Sequence, residues 1–248
     1  MKRTYIVFRC CILVVVLVCK SPLSFSQDIS SDLQRMKSTY DGFSSISYEA
    51  DYISYMNNLS TPSVDVAHGS LVQQGNDKYQ KIGNIEIISN DQYTLTADHD
   101  AHSLYYSANS INTPQQTVTM DVPQLLEFCT IKKIEKVNDS YNAFTLVPKK
   151  QSDDFERVRI VYETKTYLVK EMQLHYAKST TYVVKGKAMQ GKPILVVAFK
   201  NYKINPQINQ QLFTYNKFIR KEKEQLLVKP AYKNYSINGA GVLSLKNN

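Results

Sequence analysis

The stretch "YTLTADHDAHSLYYSAN", residues 93–109, carries the reading on which the fold turns. Tyr93, Leu95 and Ala97 alternate with Thr94, Thr96 and Asp98, and alternation resumes across Leu104 and Tyr106. Side chains along a strand point to opposite faces in turn, so two strands are indicated, and a reversal must lie between them. The reversal, "DHDAHS", packs Asp98, His99, Asp100 and His102 into five positions, all of them residue types that can ligate a metal. Aspartate is equally a turn former, because its carboxylate accepts hydrogen bonds from backbone amides just ahead of it. His68 and His175 stand isolated elsewhere, so no second ligand cluster joins the first. A hairpin with solvated turn histidines is the reading adopted.

Working outward, the same period-two pattern, rich in Tyr, Val, Ile and Thr and punctuated by Asn, Asp, Gly and Pro, recurs along the chain. It predicts strands at 46–56, 64–74, 78–88, 91–98, 103–108, 115–120, 131–138, 142–148, 157–163, 166–177, 180–186, 193–203 and 212–218. Such spacing implies a mainly β (α+β) domain built as a long antiparallel meander, without βαβ alternation. Two segments break the period. In "DISSDLQRMKSTYDGF", residues 28–43, Ile29, Leu33, Met36 and Tyr40 form one apolar stripe of helical spacing, and Gly42 is placed to stop it. "MDVPQLLEFC", residues 120–129, reads as a short helix with Pro123 in its first turn and Leu125, Leu126 and Phe128 as apolar bulk. The tail from Leu226 onward suggests an edge strand followed by a loosely held end.

Residues 1–26 have the form of a secretory signal: Lys2, Arg3 and Arg9 precede an apolar run, Cys10 to Cys19, too short to cross a bilayer. Ser24 and Ser26 supply the small residues of a cleavage site, so the mature chain is expected to begin at Gln27. Cys129 is then the one remaining cysteine, and no intramolecular disulfide can form. The signal also carries four of the basic residues and no acid, which reduces the formal net charge from +8 to +4. That mild surplus and the export signal disfavour nucleic acid as a partner.

Catalytic signatures are missing too: there is no G-x-S-x-G, no H-E-x-x-H and no glycine-rich phosphate loop. Cys129 closes the apolar face of the 120–129 helix, where a buried, inert role is expected. The chain is therefore read as non-enzymatic and cofactor-free, with a hydrolase built on Cys129 or on the Asp98–His102 cluster as the weakest rival. What the sequence has in abundance is aromatic surface, 18 Tyr and 9 Phe with no Trp, spread along the strands.

The order of these features resembles the LolA-like periplasmic lipoprotein carriers, whose wider relatives are LolB and the RseB-type sensors. An amphipathic first helix is followed by a meander, the hairpin with "SLYYSAN", then "FTLVPKK" and "AFKNYKINPQINQQLFTYNKF". Leu146, Pro148 and Lys149 match one family element, and Phe199, Asn201, Asn205 and Phe213 match another. The family's Arg-Pro-aromatic pattern is reduced here to Tyr79. The resemblance implies a curved antiparallel half-barrel over residues 27–220, with the N-terminal helix and short helices covering the concave face, and leaves 221–248 as an extension. It implies a monomer in the periplasm whose partners are acylated lipoproteins or lipids, with an inner-membrane release complex and an outer-membrane receptor. A sensor or assembly factor binding a protein partner on the same fold is the alternative.

Parity then nominates the cavity. Tyr93, Leu95, Leu104 and Tyr106 share one face of the hairpin, and Leu125, Leu126 and Phe128 would cover them as a lid. The helix at 28–43 is the second candidate lid.

Overall fold

A computed structural model describes residues 24–108, 128–150, 155–184, 187–222 and 225–240. The expected helix is present as α1, Ser24–Asp41, stopped where the Gly42 and Phe43 amides bond back to Ser38 and Tyr40. Then come β1 (Ser45–Met56), β2 (Asp65–Gln74), β3 (Asp77–Ile82), β4 (Ile85–Ser89), β5 (Tyr93–Asp98) and β6 (Ser103–Ala108). After residues 109–127 the chain continues through β7 (Cys129–Lys136), β8 (Tyr141–Pro148), β9 (Phe155–Glu163), β10 (Val169–Tyr176) and β13 (Pro193–Ile204). Between the last two lies a separate hairpin of β11 (Thr180–Val184) and β12 (Lys187–Gly191). The tail makes another, β14 (Ile219–Glu222) with β15 (Gln225–Val228), and ends in β16 (Ser236–Ala240). The predicted strand at 115–120 lies outside the described residues, as does most of the 120–129 helix.

Twelve strands form one curved, unclosed sheet in the order β16-β6-β5-β4-β3-β2-β1-β13-β10-β9-β8-β7. This is the mainly β half-barrel, with three departures from the sequence reading. The segment 78–88 is two strands, because Gly83 adopts φ +56° and lets a two-residue turn reverse the chain between Ile82 and Ile85. The segment 212–218 is two 3-10 turns, Gln210–Phe213 and Tyr215–Lys217, and its amides turn to side chains: Gln211 to Asn209 Oδ1 and Tyr215 to the Tyr93 hydroxyl. The sheet also has a parallel pair. β16 starts where the Ser236 amide bonds the His102 carbonyl, at the turn that begins β6, so the two strands leave in one direction. Gly239 is required there, since a Cβ would lie 2.1 Å from the Tyr106 carbonyl oxygen.

Register shows that the sheet is covered on both faces, at different ends. Directly paired residues share a side. Across the β1 to β7 half, Tyr52 faces Val197, Val197 faces Met172, Met172 faces Ile160, Ile160 faces Phe144 and Phe144 faces Ile134. A second row runs Leu195, Leu174, Val158, Leu146, Ile131. These side chains and Met36 of α1 form one core, on what is here termed the front face.

Toward β6 the front face continues through Tyr48, Leu71, Gln80, Ile87 and Thr96 to Tyr105, which is 51% exposed. The residues packed into a core toward β6 lie on the other side: Tyr106, Leu95, Ile88, Tyr79 and Val72 pair in sequence down to Ser47, the neighbour of Tyr48 that points away from it. Tyr79, Ile88, Leu95 and Tyr106 from that series, with Leu104, make a second core with Phe218, Ile219, Leu226 and Ile237. That core occupies the back face.

Candidate functional site

The front face under α1 is a broad apolar surface. Its two rows cross β7, β8, β9, β10 and β13 without a charged side chain. A single helix cannot cover that width. From residue 31 to the end of α1 only Met36 is buried, while Ile131, Ile134, Phe155, Leu174 and Leu195 remain partly exposed. Polar contacts made by α1 between residues 32 and 40 gather around the β9–β10 turn. The Tyr162 hydroxyl donates to Asp32 at 2.5 Å, Arg35 donates to the Tyr167 hydroxyl at 2.8 Å, and the Val169 amide donates to the Tyr40 hydroxyl at 3.1 Å. Burial pushes the Tyr162 phenol above its ordinary pKa, and the Asp32 carboxylate adds to that rise. Tyr162 thus stays a neutral donor to the helix.

The hairpin of residues 93–109 meets its expected parity but occupies the back face. Tyr93, Leu95, Leu104 and Tyr106 do lie together, with Leu95 and Leu104 fully buried and the Tyr93 and Tyr106 rings stacked at 5.6 Å. What covers them is the chain's own tail, Phe218, Ile219, Leu226 and Ile237. The four are core in this structure, and α1 lies over the opposite face. Leu125 and Leu126 fall outside the described residues, and Phe128 is 63% exposed just before β7. Cys129 is buried in the front core, where burial raises its thiol pKa, with Lys149 opposing. His99 sits on the back side, so the two cannot meet in one catalytic site.

The turn itself is a hairpin loop: Asp98 Oδ1 accepts the amides of Asp100 and Ala101, and His102 takes φ +48°. His99, expected in solvent, is instead built into the tail contact. Its Nε2 donates to Glu86 at 3.0 Å, and its Nδ1 shares a hydrogen bond with the Tyr235 hydroxyl at 2.7 Å. Glu86 is buried and also accepts from Tyr79 at 2.8 Å and Lys217 at 2.5 Å. Burial pushes the Glu86 carboxyl up, and the bonds from Lys217, Tyr79 and His99 more than offset it, leaving the group below its ordinary value. Sequence reading passed over this knot. A signal for it existed: Glu86 shares the register of Ile88, a charge where the pattern asks for an apolar residue.

Residues of the second family element are structural. Phe199 packs in the front core and Asn201 bonds Glu49 at 2.7 Å beside a register shift of β1 and β13. Asn205, at φ +51°, accepts the Ser44 amide, and Phe213 is buried where the chain crosses to the back face.

No family model and no curated protein matches the sequence. The resemblance read from the motifs reappears among solved structures. Those similar to the chain include a LolA superfamily protein from Nitrosomonas europaea, 10% identical over 76% of this chain and 98% of that one, with a TM-score of 0.35. Another is a putative outer membrane lipoprotein-sorting protein domain from Vibrio parahaemolyticus, 8% identical over 75% and 96%, with a TM-score of 0.41. A third is the MucA/MucB complex of Pseudomonas aeruginosa, 11% identical over 77% and 62%, with a TM-score of 0.39. Among the described residues no helix is long and apolar enough to cross a membrane.

Proposed function

We propose that this chain is an exported, non-enzymatic carrier that shelters acyl chains of lipoproteins or lipids between α1 and the front face of the sheet. The observation that carries the reading is the mismatch between the two apolar rows and the single helix lying on them, with Leu174, Leu195, Ile131 and Phe155 left partly open. An acyl chain loses roughly 0.8 kcal/mol of transfer free energy for every CH₂ brought into water, so a carrier needs such a surface and a movable cover. α1, tied at the β9–β10 turn, is that cover. The motifs add the cargo class, the periplasmic setting and delivery toward the outer membrane, from a release complex to a receptor.

A photocrosslinker at Leu174 or Leu195 should capture lipoprotein or long-chain lipid, and one at Ala198, on the other face of β13 from Leu195, should not. The organic extract of the purified full-length protein should contain acyl lipid that a blank preparation lacks. Equal labelling from Leu195 and Ala198, with an empty extract, would refute the carrier. Protein capture without lipid would favour the sensor or assembly role.

A further inference from the structure

The back face of β7–β10, away from both cores, forms an open groove of about 890 Å³ beside the loop at Asn57–Leu59. Its cations are placed by a β-bulge. Ile131 lies opposite Leu146 and Lys133 opposite Thr145, so Lys132 is the extra residue. Ile131 and Ile134, three apart, therefore both face the front core, while the consecutive Lys132 and Lys133 both line the groove.

The charges in the groove are not evenly matched. Arg159 donates twice to Glu135, at 2.8 and 2.6 Å, and Lys133 donates to the same carboxylate at 2.6 Å. Lys192 pairs with Glu156 at 2.8 Å. Arg157 and Lys132 make no direct salt bridge among the described residues, although the Arg157 charge reaches Glu156 and helps to hold its carboxyl below the ordinary value. Arg157 instead donates to His175 Nδ1 at 3.2 Å, which requires that nitrogen to be unprotonated. Burial first, and the Arg157 charge second, hold His175 below its ordinary pKa, so the imidazole stays a neutral acceptor that aims the guanidinium without neutralising it. The opposite wall is equally fixed. Asn57, at φ +66°, donates its amide to the Lys192 carbonyl at 2.8 Å, and its side-chain oxygen accepts the Lys192 amide at 3.0 Å.

We propose that this groove binds a phosphorylated ligand, with the Arg157 fork and Lys132 on the phosphate and the Asn57–Leu59 wall against the rest of the molecule. A guanidinium fork matches two phosphate oxygens, and the volume lies in the range of small-molecule sites, larger than a bare phosphate needs. Glu135 and Glu156 on the rim disfavour a second anionic group, which makes a single phosphate the fit. Such a phosphate belongs either to the headgroup of an anionic phospholipid or to a free phosphorylated molecule. The site is independent of acyl binding, because it lies on the face opposite α1.

The test uses the full-length chain with two probes. One is sn-glycerol 3-phosphate, titrated by ¹H–¹⁵N chemical shifts; the other is flotation with phosphatidylcholine vesicles with and without phosphatidylglycerol. Shifts should cluster at 132–133, 157–159, 173–175 and 57–59. Arg157→Gln should weaken binding about tenfold, the loss of one charge-assisted bond. Lys132→Gln, at an exposed bulge position that no core contact uses, should weaken it about threefold. Lys221→Gln, on the tail hairpin, should leave it unchanged. Binding of the soluble probe alone identifies a free ligand, and flotation on phosphatidylglycerol vesicles alone identifies a headgroup. Lack of binding in both arms overturns the proposal, as does wild-type affinity in both the Arg157 and Lys132 variants.

Discussion

The two ends of the sheet solve one problem in different ways. At the β7 end the front face is covered by α1, which between residues 31 and 41 contributes one fully buried side chain, Met36, and polar contacts gathered around the β9–β10 turn. At the β6 end the back face is covered by the tail, which contributes Phe218, Ile219, Leu226 and Ile237, a strand in the sheet, Lys217 as a donor to the buried Glu86 and Tyr235 as a partner of His99. One cover is laid on and the other is keyed in. A surface meant to open belongs under the first kind, because local opening costs least where few buried contacts and few hydrogen bonds must be lost.

The largest expected effect falls on the keyed cover. Phe218→Ala should cost about 3–5 kcal/mol in urea unfolding, since the ring is fully buried and its space cannot collapse easily. Leu174→Ala on the half-open front face should cost less than half of that; equal losses would mean that the front face is as tightly sealed as the back.

Next comes the buried carboxylate. Glu86→Ala should cost about 2 kcal/mol, because three donors lose their acceptor. Glu86 sits below its ordinary carboxyl pKa when folded, so its contribution is complete above the ordinary range and lost as pH falls through the depressed value. Acidification should therefore strip hydrogen-exchange protection from Leu95, Leu104 and Ile237 before Phe144 and Ile160. Simultaneous loss at both ends would remove the distinction.

Asp32→Ala should cost about 1 kcal/mol and speed exchange of the α1 amides while leaving the back face untouched, as expected if the Tyr162 contact is part of the hinge. The smallest effect is at the turn. His102→Ala should shift stability by less than about 0.5 kcal/mol, whereas His99→Ala should cost about 1 kcal/mol through Glu86. Neither value should respond to chelator; a chelator-sensitive drop in Tm abolished by the double variant would restore the metal reading.

Much of this was legible from residue order, for stated reasons. Strand parity at Tyr93, Leu95, Leu104 and Tyr106 was readable because a pleated strand alternates strictly, and α1 because its stripe has helical spacing. Which face the hairpin presents to the rest of the molecule was not readable. That depends on register carried through six strands from β1 to β6, and no local pattern records it. Gly83 went unrecognised because Ile82 and Ile85 continue the apolar look of a strand across the turn. The front-face rows through Met172, Leu174, Leu195 and Val197 were not nominated, since each segment alone reads as ordinary core. The boundary drawn at 220 falls inside the β14–β15 hairpin, because the apolar tail residues find their partners more than a hundred positions upstream.

That distance has a kinetic meaning. Ser236 pairs with Ser103, and Ile46 with Ile204, so each cover and the central seam of the sheet join segments made far apart in time. Chains dominated by such non-local pairings fold slowly, because loop closure must precede the contacts that reward it. Until residues 236–240 have left the ribosome, β6 lacks the strand that closes its side of the sheet, and Leu95 and Leu104 lack the Ile237 part of their roof. A nascent chain of this sequence therefore stays sticky and unsealed through most of its synthesis.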